Sequence, residues 1–239
     1  MSKNPSEIVS HVRKLLKKNA DEKTRSAAQN FSKEKITVHG VKTPSIRKIA
    51  NETFGQVAGL KKKEFYDLCE ELLASGYLEE AVVAFLWTEK TSKDFAKSDF
   101  KVLERWLKAY VTNWAACDTL CNHSIGDFLF KYPEYVEKLK GWTKSKNRWV
   151  RRGAAATLVL PARKGLFLPE IFEIATSLIE DKDDLVQKAS GWMLKEASKK
   201  HQTEIFEFVV KNKDIMPRTT LRYAIEKMPD DLKKEAMKK

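Results

Sequence analysis

A chain of 239 residues, 42% of them hydrophobic, can bury a large core as one domain or two. Its 45 lysines and arginines against 33 aspartates and glutamates leave a net charge of +12, which favours a polyanionic partner such as nucleic acid or an anionic membrane face. The composition excludes a membrane-spanning chain, because the longest near-apolar runs (81–87 and 153–162) are far short of a bilayer span, and three cysteines without a Cys-x-x-Cys pair exclude a disulfide framework.

In chain order, Pro5 to Lys18 and Asp21 to Phe31 carry apolar residues every three or four positions, the pattern of short amphipathic helices, with Asn4 and Asp21 as N-caps. The charged start Met1-Ser2-Lys3-Asn4-Pro5 does not read as an export signal, so the expected location is cytoplasmic, on the nucleoid. Residues 32–42, containing His39-Gly40, read as a loop. Thr43-Pro44 then opens a helix as cap and first-turn proline, with Ile46, Ile49, Phe54 and Val57 along it. The helical pattern continues over Leu60–Leu73, Leu78–Trp87, Phe95–Tyr110 and Leu107–Lys131, with breaks at Ser75-Gly76, Thr91-Ser92 and near Val111-Thr112. No Asn-Gly or Asp-Gly hairpin signal occurs, and no strand is expected.

The second half shows how these helices belong together. Pro133-Glu134-Tyr135-Val136 and Pro169-Glu170-Ile171-Phe172 open helices 36 residues apart, and the same step carries Leu78 to Trp114, Val150, Val186 and Arg222. Helix pairs of this length, each burying its apolar face on its neighbours, are the mark of an α-solenoid of HEAT or armadillo type, here expected as a single repeat domain over residues 1–239.

The Trp114 repeat departs from its neighbours. Four residues after Leu78, Val150 and Val186 stand Val82, Ala154 and Ser190, but four after Trp114 stands Asp118. On a helix Trp114 and Asp118 lie one turn apart on one face. A carboxylate in a packing register marks either a functional site or a structural ion pair, with Arg148, Arg151 or Arg152 as the answering cation. Other cations share the register, namely Arg47, Lys48, Lys188, Lys195, Arg222 and Lys227, with Trp114, Trp149 and Trp192 interleaved. Second helices of a solenoid line one face, so these residues suit either a track for a duplex backbone or a solvated surface. Trp87, Trp106 and Trp142 are assigned to the core. Cys117, Cys121 and His123 have poor spacing for a metal and lack a fourth ligand, so they are read as buried helix-face residues; no metal or cofactor is expected.

Four motifs in order carry a resemblance: Trp114-x-x-x-Asp118, Gly126-Asp127-Phe128-Leu129-Phe130-Lys131-Tyr132-Pro133-Glu134, Trp149-x-x-Arg152, and Gln187-Lys188-Ala189-x-Gly191-Trp192-x-Leu194-x-Glu196. Together with Gly40-Val41-x-Thr43-Pro44 they resemble the HEAT-like-repeat DNA alkylation-repair glycosylases, the AlkD family, over nearly the whole chain. The resemblance implies Asp118 as catalytic carboxylate, Trp114 and Trp192 as aromatic walls beside the lesion-bearing nucleotide, and Arg152 as the nearby cation. The shared register adds Arg148, Arg151, Lys188, Arg47, Lys48 and Arg222 as expected DNA contacts, and the resemblance adds the Phe31 position; double-stranded DNA with alkylated bases is the expected partner of a monomer. Two positions depart from the family pattern: Asn113, where a second tryptophan is expected next to the first, and Phe31, where a tyrosine is expected.

The implied chemistry is coherent. A purine alkylated at N3 or N7 is cationic and leaves without a strong general acid, so one carboxylate can serve by stabilising an oxocarbenium-like sugar and positioning water. The resemblance implies that the lesion stays in the duplex rather than being flipped out. Relatives of the fold that bind damaged or branched DNA without excision make a non-catalytic DNA-binding module the alternative, and a protein-binding adaptor is a third.

Overall fold

The computed structural model describes residues 5–30 and 34–238, so Asn4 and Phe31, the expected cap and DNA contact, lie outside the described residues. Among the described residues sixteen α-helices follow one another: α1 Pro5–Lys18, α2 Glu22–Asn30, α3 Thr43–Phe54, α4 Lys62–Leu73, α5 Leu78–Lys90, α6 Asp99–Ala109, α7 Trp114–Thr119 and α8 Gly126–Lys131 form the first half. The second half holds α9 Val136–Trp142, α10 Arg148–Ala156, α11 Val159–Arg163, α12 Leu168–Ser177, α13 Asp184–Ala197, α14 Gln202–Asn212, α15 Arg218–Ala224 and α16 Asp230–Met237. A π-helical turn, Leu120–Ile125, joins α7 to α8. Among the described residues the β pairing is confined to the isolated bridge Thr37–Tyr77, so the fold is all-α, of the helical-repeat class. No helix among them is long and apolar enough to cross a membrane.

The repeat is visible in the second helix of each pair. Starts at Leu78, Trp114, Arg148, Asp184 and Arg218 fall 34–36 residues apart. Asp21 caps α2, accepting from Thr24 N at 3.0 Å and Thr24 Oγ1 at 2.6 Å. Thr43 is not a cap: the N-cap of α3 is Lys42, extended and without a side-chain bond, because the proline sits one position deeper in the first turn than expected. The continuous run expected from Leu107 to Lys131 is cut, since α6 stops at Ala109 and Asn113, in extended conformation, restarts the helix as N-cap of α7.

The backbone groups into two compact units, residues up to 96 with 109–120, and 97–108 with 121 onward. In the first, α1 packs on α3 and α4, and α5 packs on α3, α4 and α7. Ile8, Val12, Leu16, Ala50, Val83, Ala84 and Trp87 are fully buried there, and the Trp87 indole donates to Ala50 O at 3.1 Å. A polar latch crosses this core. Glu79 Oε1 accepts from Gly40 N at 2.8 Å and Val41 N at 3.0 Å, and its Oε2 accepts from His39 N at 2.9 Å. Glu80 pairs with Arg13 at 2.9 Å and with His39 Nε2 at 3.0 Å, while the His39 ring stacks on Tyr77 at 4.0 Å. Gly40 makes the loop possible at φ +90°, where an added Cβ would lie 2.6 Å from Asp21 O.

In the second unit α10 packs on α13 and α13 on α15, with α9 against α10 and α12. Trp106 is fully buried and Trp142 nearly so, the latter donating to Glu104 at 2.7 Å. Gly191 sets the α13–α15 spacing, because a Cβ there would lie 2.5 Å from Tyr223 Cβ and 2.7 Å from Thr220 O. Gly191→Ala should therefore cost about 1–3 kcal/mol by overpacking against backbone that cannot step aside. Denaturant midpoints check this, and an unshifted midpoint would show that the two helices separate freely.

Acids tie successive repeats in this unit. Glu196 is nearly buried and receives Arg163 at 2.7 Å and Lys199 at 2.6 Å. Burial pushes the Glu196 carboxyl up, but the hydrogen bonds from Arg163 and Lys199 outweigh it and hold the group below its ordinary 4.5. A depressed folded value means the stabilisation is complete above 4.5 and is lost as pH falls through the folded value. Glu196→Gln should then be less stable than the parent at neutral pH, with the gap closing below that range in pH-dependent denaturation. A gap constant with pH would contradict the pairing.

Candidate catalytic and nucleic-acid site

The organising turn is α7 of the first unit. Asn113 is 6% exposed, and its Oδ1 accepts from Ala116 N at 2.9 Å, which starts the helix at Trp114. Four residues on, Asp118 is half-buried, while Trp114 is 36% exposed and ranks among the few large apolar side chains at the surface. Ala116 and Cys117 turn inward and are buried. One face of a single turn thus offers an indole and a carboxylate, while its other face packs on α5.

The register sets Asp118 apart from its counterparts in α10 and α13. Ala154 is 0% and Ser190 1% exposed at the equivalent sites of α10 and α13, so those positions are packing positions. Asp118 stands partly open instead, where a carboxylate keeps some hydration and can meet a ligand.

The cations and the second tryptophan lie in the second unit. Arg152 on α10 is 5% exposed, and its guanidinium donates to Leu185 O. Lys188 on α13 pairs with Asp184 at 2.8 Å, and that carboxylate holds the ammonium above its ordinary 10.5 while Arg152 nearby pulls it down. Lys188 is charged at any physiological pH. Trp192 follows one turn later and is half-buried, and Arg222 on α15 is exposed. Tyr223 beside it lies under Lys195 at 5.6 Å, an aromatic in the cation row that sequence spacing alone did not single out as a site.

Arg148 and Arg151 are committed elsewhere. Arg148 meets Asp183 at 2.7 Å; Arg151 meets Asp181 at 2.6 Å and also donates to Ser145 O at 2.9 Å. Asp183 at the same time caps α13, accepting from Leu185 N at 2.9 Å. Both arginines therefore hold the α12–α13 loop, and a phosphate would have to displace a carboxylate to reach them. Lys188 differs, because a single exposed i,i+4 partner is weakly held and easily exchanged. Trp149 is buried beneath the Arg148 guanidinium and belongs to the core. On α3 of the first unit Arg47 and Lys48 are exposed, Lys48 near Glu52 at 3.8 Å. Cys69, Cys117 and Cys121 are buried thiols, and burial pushes Cys69 up to about 12. Among the described residues no cluster of three or more His, Cys, Asp or Glu is arranged to hold a metal.

A family model described as DNA alkylation repair enzyme matches residues 12–228. The chain belongs to the DNA alkylation repair enzyme family. Its fold is shared with a predicted DNA alkylation repair enzyme from Enterococcus faecalis, at TM-score 0.79 and 14% identity over 89% of this chain and 98% of that one. It is also shared with a Pseudomonas fluorescens alkylpurine DNA glycosylase, AlkC, bound to DNA containing an abasic site analog, at TM-score 0.52 and 15% identity over 93% of this chain. This chain spans 62% of the AlkC chain. No curated protein matches the sequence.

Proposed function

We propose that this DNA alkylation repair enzyme is a monofunctional glycosylase of AlkD type. It releases cationic N3- or N7-alkylpurines from duplex DNA, without flipping the base, and leaves an abasic site. The observation that carries the reading is Asp118, half-open one turn from the exposed Trp114, at a repeat position that is buried and small in α10 and α13.

In this reading the duplex approaches with the damaged nucleotide's deoxyribose against α7. The alkylated base is already a good leaving group, so the barrier is charge on the sugar as the N-glycosidic bond opens. Asp118 supplies a fixed negative charge there and orients the water that attacks the anomeric carbon. Trp114, one turn from the carboxylate, screens the sugar from bulk water and attracts cationic character through its ring face. Lys188 and Arg222 of the second unit and Arg47 and Lys48 of the first are exposed or loosely paired cations suited to phosphates, setting affinity without reading sequence. The AlkC relative, an alkylpurine glycosylase on abasic DNA, supports a glycosylase assignment for this fold.

The test is to incubate methylated duplex with the protein and then with mild alkali. Strand breaks at purines are expected only where the protein was active. A salt-sensitive gel shift without alkali-labile sites would favour a DNA-binding module that does not cut the glycosidic bond.

A further inference from the structure

We propose that Asn113 is the positioning residue of the catalytic turn: its side-chain cap holds the first turn of α7 so that Trp114 and Asp118 meet the deoxyribose together. The inference rests on the glycosylase reading above, and it concerns a side chain that touches neither substrate nor the reacting atoms.

Four observations support it. The cap is well formed, with Asn113 extended at φ −150° and ψ 164°, its Oδ1 2.9 Å from Ala116 N and its own carbonyl accepting from Cys117 N at 3.1 Å. Asn113 is 6% exposed, so water is a poor substitute acceptor for the Ala116 amide. The helix it starts is only six residues long, and it passes at once into the π-helical turn Leu120–Ile125, whose hydrogen bonds do not continue the α ladder. Helix ends fray when the ladder behind them is short, so the front bond carries an unusual share of the turn's order. Finally, Trp114 is the first helical residue and Asp118 the fifth, so any fraying of this turn moves both functional groups.

The chemistry explains the residue type. Asparagine accepts the amide hydrogen bond as well as aspartate does, without adding a second negative charge one turn from Asp118. A leucine or alanine would leave the Ala116 amide unpaired.

The experiment measures single-turnover base release and duplex affinity for Asn113→Ala, Asn113→Gly, Asn113→Ser and Asn113→Thr, with thermal melts alongside. Asn113→Ala should slow release about fivefold, the rate equivalent of one lost cap, with affinity for duplex unchanged. Serine and threonine, which restore an acceptor at this position, should recover most of the rate. Glycine, which takes the cap conformation without a side-chain acceptor, should fall between, and it carries the test if the alanine variant loses its fold. A folded Asn113→Ala protein that releases base at the parent rate would overturn the inference, as would serine and threonine variants no faster than alanine. A parent protein that binds duplex and releases no base would instead defeat the glycosylase reading, and this inference with it.

Discussion

Asp118→Asn should reduce release of an N3- or N7-alkylpurine by about 10²–10³-fold while leaving duplex affinity essentially unchanged, the loss typical of one preorganised electrostatic group. The split follows from geometry. Asp118 is half-buried on α7 in the first unit, whereas the cations Lys188 and Arg222 are borne by α13 and α15. Removing the charge thus takes away stabilisation of the sugar cation without removing a phosphate contact, and the isosteric amide preserves the packing of α7 on α5. Single-turnover rates and binding titrations at one salt concentration measure the two effects separately. A variant that still releases base at the parent rate would move catalysis to another residue. A loss of affinity matching the loss of rate would make Asp118 a structural residue.

The largest effect on stability is expected at Glu79. This 3%-exposed carboxylate accepts three backbone N–H groups, from His39, Gly40 and Val41. Glu79→Ala would leave all three donors facing a void and should cost about 3–5 kcal/mol, since each unsatisfied buried amide costs roughly 1–3 kcal/mol and charge-assisted bonds are the stronger kind. Glu79→Gln keeps one acceptor oxygen and should cost about 1–3 kcal/mol. The consequence reaches α3, because the latched loop leads directly into Thr43 and sets where Arg47 and Lys48 stand. Duplex affinity should fall with stability in Glu79→Ala, and a variant as stable as the parent would show that water satisfies these amides.

The all-α repeat was legible because its signal is periodic. Helix-face spacing and the 36-residue step between the Pro133 and Pro169 motifs reappear as second helices starting 34–36 residues apart. The core tryptophans Trp87, Trp106 and Trp142 were legible for the same reason, each lying in an apolar stripe. What could not be read was where polar groups find partners across sequence. Arg148 and Arg151 look like part of a basic track until Asp183 and Asp181, some 30 to 35 residues away, are seen to hold them. Arg13, His39, Glu79 and Glu80 likewise meet only through packing of α1 and the 34–42 loop on α5. Asn113 had a local signal, an asparagine directly before a helical turn, but the apolar pattern from Leu107 runs through it and hides the break.

The account as a whole is tested most directly by incubating the parent protein with a duplex bearing one N7-methylguanine in ¹⁸O-labelled water, with a chelator present, and weighing both products by mass spectrometry. The expected result is free N7-methylguanine and an intact strand carrying an abasic sugar with one ¹⁸O, since water supplies the new hydroxyl. Unmodified guanine restored within the strand, a strand broken at the lesion without alkali, or no change in a duplex that the protein binds would contradict it.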